Sequence, residues 1–156
     1  MIETHQPDII CATETHLDKL IANSEILPTE FCENVYRKDR NIQGGGVLNA
    51  IRQNILASEE LSLNANCEII WVKIQNENNA PLFISSYYRP PNSDLNAACE
   101  FQNSVQKLTC KSCLPSILLT GDFNLPDMSW KQGVTSPSPQ YGNELKQLRI
   151  VTELNV

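Results

Sequence analysis

From about residue 33 to residue 88 the sequence offers one strand signal after another and no helical period. A doubly wound parallel sheet needs a helix between successive strands, so this stretch excludes that fold. "CEIIWVKIQ" (67–75) alternates, with Ile70, Val72 and Ile74 on one face and Ile69 and Trp71 on the other. "NENNA" (76–80) reads as a polar turn, and "PLFISSYYRPP" (81–91) as the next strand, ended by two prolines. The pair forms an antiparallel hairpin in a central sheet. "ENVYRKDR" (33–40) reads as an exposed strand or hairpin arm ahead of "GGGVLNAIRQNI" (44–55). No GK[ST] follows the three glycines, so they make a hairpin corner rather than a phosphate loop.

Helical signals flank this region. "PDIICAT" (7–13) is a short apolar strand that breaks abruptly into "ETHLDKL". Leu95, Ala98, Phe101, Val105 and Leu108 fall at helical spacing, with Ser93 placed to cap the helix. The strand "SILLT" follows, then a Pro- and Ser-rich loop to Pro139 and a short amphipathic helix bearing Tyr141, Leu145 and Leu148. Strands and outer helices of this kind make an α+β or layered α/β sandwich. The 156 residues suit one domain, 1–156, without repeat or linker.

The net charge of −6 argues against gripping nucleic acid by bulk charge alone, though not against a local basic patch or a metal among carboxylates. No apolar run approaches the ~20 residues of a membrane span, and the N-terminus lacks a signal-peptide pattern, so an intracellular, non-secreted chain is expected. Cys11, Cys32, Cys67 and Cys99 read as small core residues. Cys110 and Cys113 form CKSC without the second ligand pair that zinc requires.

Chemistry concentrates at strand ends. In "ILLTGDFNLP" (117–126) a core strand runs into Gly121, where the chain turns, and then into Asp122 and Asn124. A carboxylate and an amide two residues apart share one side if the chain stays extended, and together suit phosphoryl chemistry. The ordinary alternative is an Asx turn that satisfies its own backbone. "ICATETHLD" repeats the pattern, placing Glu14 after an apolar strand as a hard oxygen ligand for Mg²⁺; the alternative is a first-turn helix residue. "SSYYRPP" places Tyr88 and Arg89 at a third strand end, as phosphate donor and phosphate partner. Arg37, Lys38 and Arg40 in "YRKDRN" could track a DNA backbone or form a solvated hairpin tip.

"ATETHL", "YYRPP" and "LLTGDFNLPDMSW", in this order, resemble the endonuclease/exonuclease/phosphatase superfamily. "GGGV" after a basic stretch, "YRPP" and "GDFNLPDMSW" resemble more closely the endonuclease domain of non-LTR retrotransposon polyproteins. The resemblance runs from Pro7 to about Leu154. It implies two packed, mostly antiparallel sheets flanked by helices, a four-layer sandwich with its site where strand ends meet. It also implies Glu14 as metal ligand, Tyr88 at the scissile phosphate, Asp122 orienting or activating water, and Asn124 holding a phosphate oxygen. Mg²⁺ or Mn²⁺ would be the cofactor, DNA the substrate, and a reverse transcriptase domain a possible companion in the full reading frame. Location would be nuclear for action on genomic DNA.

Two family features have no counterpart. The family's earlier strand, carrying an Asn, would precede residue 1, and its late Ser-Asp-His motif is absent, since His5 and His16 are the chain's two histidines. The expectation is a partial domain, incomplete at both ends, that cleaves DNA poorly by itself. The alternative function is a catalytically dead remnant with weak nucleic-acid or protein binding. A lipid-headgroup phosphatase ranks lower, because its signatures beyond GDFN are missing.

Overall fold

The central hairpin forms as its alternation dictates, and the rest of the chain is layered onto it. The computed structural model describes residues 2–75, 80–91, 93, 95–109, 115–124, 128–129 and 134–135. β5 (Glu68–Ile74) and β6 (Leu82–Tyr88) pair antiparallel from Glu68 opposite Tyr88 to Ile74 opposite Leu82. β4 (Ala57–Glu59) extends this sheet beside β5, and β7 (Ser116–Asp122) extends it beside β6, giving the order β4-β5-β6-β7. β7 runs parallel to β6. Parallel neighbours need a long crossover, and α3 (Leu95–Thr109) provides it. A second sheet has the order β1-β3-β2, all antiparallel, from β1 (Ile9–Thr13), β2 (Val35–Lys38) and β3 (Val47–Ile51).

Side-chain alternation then sorts residues into layers. Ile69, Trp71, Phe83 and Tyr87 face α3 and form a core with its Phe101, Val105 and Leu108. On the opposite face of the same sheet, Ile70 and Tyr88 meet Val47 of β3, with Tyr36 of β2 against them. Leu48 and Ala50, the other face of β3, pack with Leu17 and Phe31 from the segment between β1 and β2. That segment carries the short helix α2 (Asn23–Ile26); another, α1 (Ile2–His5), precedes β1. The result is an α+β sandwich with two sheets in the middle. Both faces of the β5–β6 hairpin are buried, which explains why neither face of "EIIWVKI" is uniformly polar.

Most polar groups inside the sandwich are paired, the buried Ser85 hydroxyl being an exception. Between the sheets, Ser86 Oγ donates to Asn49 Oδ1 at 2.6 Å, and Asn49 Nδ2 donates to the Ile70 carbonyl at 3.3 Å. On the helix side, the fully buried Trp71 donates its indole N–H to Ser104 Oγ at 2.8 Å. Ser104 in turn donates to the Leu63 carbonyl at 2.6 Å, tying α3 to the loop ahead of β5.

Several sequence expectations are corrected. β4 carries no alternation signal in three residues and was not foreseen. Ser93 Oγ donates to the Pro90 carbonyl at 2.6 Å and α3 begins two residues later, at Leu95, so the turn after the prolines engages this serine. Gly121 does not turn the chain at the sheet edge. It lies within β7 opposite Tyr87 at φ 139°, and a Cβ there would sit 1.9 Å from the Tyr87 carbonyl oxygen. Cys99 is exposed on α3 rather than buried. Burial pushes the Cys67 thiol up to about 11, away from reactive thiolate chemistry. Cys110, Cys113 and the helix expected around Tyr141, Leu145 and Leu148 lie outside the described residues. Among the described residues no helix is long and apolar enough to cross a membrane.

Candidate active site

Register alone assembles a row of polar residues at one end of the larger sheet. Glu68 on β5 lies opposite Tyr88 on β6, and Tyr88 lies opposite Asp122 on β7. Glu14 reaches this row from the other sheet, just beyond the end of β1, and accepts a hydrogen bond from the Tyr88 hydroxyl through Oε1. The ends of β1, β6 and β7 therefore meet, and Glu14, Tyr88, Asp122 and Asn124 gather around them.

The loop carrying Glu14 is shaped by the glycine corner. Glu14 and His16 both take left-handed backbone conformations, φ 49° and 54°, so no helix starts there. Thr15 N–H donates to the Gly46 carbonyl at 3.4 Å and His16 N–H to that of Gly45 at 3.1 Å, which continues the β1–β3 pairing past the strand. A Cβ at Gly46, itself at φ 88°, would lie 2.5 Å from Thr15 Oγ1. The triplet "GGG" is thus both the expected hairpin corner and a bed on which the Glu14 loop lies.

At the third strand end, Phe123 anchors the turn. Its ring packs against Tyr87 at 5.3 Å and Phe101 at 5.9 Å between centroids. With Phe123 held in the core, Asp122 and Asn124 are directed away from it. The segment is not extended: Asn124 is left-handed, φ 44°. Its N–H donates to Asp122 Oδ1 at 3.0 Å and its Nδ2 to Asp122 Oδ2 at 3.1 Å. The Asx turn that was the ordinary alternative does form, and it is also what brings carboxylate and amide together.

The electrostatics follow from this crowding of acids. The hydrogen bond to Glu14 pushes the Tyr88 phenol up to about 12, aided by burial and by the charges of Glu14 and Asp122, while Arg40 opposes the shift. Tyr88 is therefore a neutral donor throughout the physiological range. It has one hydroxyl hydrogen, and Glu14 takes it. Glu14 remains half exposed, with Oε2 4.0 Å from His16 Nε2.

Two members of the basic cluster, Arg37 and Lys38, are turned inward, and Arg40 stays exposed. Arg37 donates to Asp39 and to the backbone carbonyls of Asp18 and Ile21, and its side chain is only 14% exposed. Lys38 Nζ donates to the Ala65 and Cys67 carbonyls at 2.9 and 2.7 Å. Arg40 pairs with Glu68 at 2.9 Å and lies 5.8 Å from the Tyr88 ring centroid. Arg37 and Lys38 are taken up by their own chain, Lys38 because β2 lies across the loop before β5, while the Arg40 side chain stays partly exposed over Glu68 and the Tyr88 ring. Arg89 is likewise turned inward: its Nη1 donates to the Asn124 carbonyl at 2.8 Å and its Nη2 to that of Ser93 at 3.2 Å.

Two neighbours escaped sequence reasoning. Glu68 is legible in retrospect, since counting along the pairing from Ile74 opposite Leu82 sets it opposite Tyr88. His16 had only its closeness to Glu14 in sequence as a signal. Among the described residues no group of three His, Cys, Asp or Glu side chains is placed to hold a metal ion. Mg²⁺ commonly takes one or two carboxylates and completes its shell with water and phosphate, so the half-exposed Glu14 carboxylate is a donor of suitable chemistry.

In its fold this chain resembles the endonuclease/exonuclease/phosphatase class of protein. Within that class the resemblance is to the endonucleases of non-LTR retrotransposons. Residues 82–156 match the family model described as endonuclease-reverse transcriptase. Among solved structures the fold is similar to the endonuclease domain of TRAS1, a telomere-specific non-LTR retrotransposon, at TM-score 0.61 and 14% identity. The match covers 92% of this chain and 58% of that one, so this chain spans little more than half the length of that domain. No curated protein matches the chain.

Proposed function

We propose that this chain is the core of a retrotransposon-type DNA endonuclease, a metal-dependent phosphodiesterase that directs water onto a backbone phosphate. The observation that carries the reading is the convergence of Glu14, Tyr88 and the Asp122–Asn124 turn at the meeting ends of three strands. Glu14 would hold Mg²⁺ or Mn²⁺ through its outward oxygen, while the Tyr88 hydroxyl fixes the carboxylate's orientation through the other. The metal, when bound, supplies Lewis-acid stabilisation of charge on the phosphate. Asp122 orients or deprotonates the attacking water, and the Asn124 amide, fixed by its turn, faces a phosphate oxygen. Tyr88 reaches a phosphate only when its proton is shared away from Glu14. Nucleic acid as substrate, a reverse transcriptase domain in the same polypeptide and action in the nucleus belong to this proposal.

A second reading, that these 156 residues are catalytically silent by themselves, draws on the fact that no histidine follows Asn124 within them. Supercoiled-plasmid nicking with Mg²⁺ or Mn²⁺ separates the two. The chain is assayed beside its Asp122→Ala variant and beside a longer chain that includes downstream sequence from its reading frame. The nuclease reading expects metal-dependent nicking by the longer chain, abolished by Asp122→Ala in that background. A folded longer chain that leaves the plasmid intact would overturn it.

A further inference from the structure

Arg89 follows Tyr88 directly, and a cation there suits a phosphate; its geometry assigns it elsewhere. Its backbone N–H donates to the Asp122 carbonyl at 2.9 Å, and its carbonyl accepts from Asn124 Nδ2 at 2.6 Å. Its guanidinium donates through Nη1 to the Asn124 carbonyl at 2.8 Å and through Nη2 to the Ser93 carbonyl at 3.2 Å. Arg89 thus meets Asn124 from both ends, side chain to backbone and backbone to side chain. Asn124 sits at φ 44°, a left-handed conformation that asparagine tolerates better than other side chains and that these contacts hold in one place.

We propose that Arg89 is a positioning residue: it clamps the left-handed Asn124 turn, and through it sets the directions of the Asn124 amide and the Asp122 carboxylate. The chemistry requires arginine. A planar fork with separated donors spans two backbone carbonyls on different segments, Asn124 after β7 and Ser93 before α3. A lysine ammonium is a compact point charge without that fork. Pro90 immediately after Arg89 restricts the backbone from which the fork projects. The clamp also explains how one turn stays fixed next to a close β6–β7 contact and the ring of Phe123. Its kinetic consequence rests on the nuclease reading above; its structural consequence does not.

The test uses the full chain with Arg89→Met and Arg89→Lys, and reads amide hydrogen exchange at Asn124 and Trp71. It also reads the salt dependence of binding to a short DNA duplex. In both variants exchange at Asn124 should quicken by about tenfold or more while the Trp71 amide is unchanged, the mark of a local opening. The salt slope should stay the same, because no phosphate contact is lost. In a chain that nicks, kcat should fall by about tenfold or more with KM near its original value. Unaltered exchange at Asn124 with a salt slope lowered by about one would identify Arg89 as a phosphate ligand and overturn the proposal. Equal acceleration at Asn124 and Trp71 would reduce Arg89 to general fold stability and overturn it as well. Absence of DNA binding would count against the nuclease reading, and the exchange data would still decide the clamp.

Discussion

Tyr88→Phe removes one oxygen from the centre of the site, and its effect follows from the Glu14 contact. The phenol is raised from its ordinary value of 10.0 to about 12, first by its hydrogen bond to Glu14 and then by burial and neighbouring acids. Taken whole, two units amount to about 2.7 kcal/mol. Glu14 is half exposed, so water competes for its carboxylate and screening lowers the figure to about 1 kcal/mol. The folded state holds the Tyr88 proton more tightly than the unfolded chain does. The contribution is therefore complete below pH 10.0 and is lost as pH rises from there towards about 12. Tyr88→Phe should lower Tm by about 2–4 °C at neutral pH, and the gap between variant and parent should close in alkaline buffer. Absorbance titration of the four tyrosines should show that the variant loses a late-titrating phenol; Tyr36, also raised, remains in both proteins. A variant that loses an ordinary phenol, or a stability gap that widens with pH, would refute the reasoning.

Other perturbations test other parts of the molecule. Ser104→Ala leaves the buried Trp71 indole without its acceptor and should cost about 1–3 kcal/mol in urea denaturation, with a sharp two-state transition retained. Gly121→Ala drives a methyl into the Tyr87 carbonyl and imposes a side chain at φ 139°; β6 and β7 must part, and soluble folded protein should be lost. Mg²⁺ or Mn²⁺ should raise Tm in the parent by binding linkage, and Glu14→Gln should remove the rise; an equal rise in the variant would assign the ion to other ligands. On the nuclease reading, nicking by the 156 residues alone should be very weak, because no histidine follows Asn124 within them and one acid–base group commonly contributes about 10²–10⁴-fold. Robust nicking that Asp122→Ala abolishes would show a different catalytic arrangement.

Local pattern was enough to read the layers of this protein. The alternation of "EIIWVKI" and "LFISSYY" defines the central hairpin, the spacing of Phe101, Val105 and Leu108 defines the helix covering it, and the lack of helical period before residue 88 excludes a doubly wound sheet. These follow from sequence because a period fixes which side chains share a face. A period does not say what that face will meet. Only the tertiary structure brings Glu14 onto Tyr88 across the two sheets, sets Glu68 and His16 beside them, and turns Asp122 and Asn124 into one Asx turn anchored by Phe123. It also decides the fate of the cations. Arg37, Lys38 and Arg89 look available in sequence, yet each finds backbone carbonyls on a distant segment. Long flexible side chains choose partners by proximity in space, and chain order carries little of that information for residues separated by a sheet.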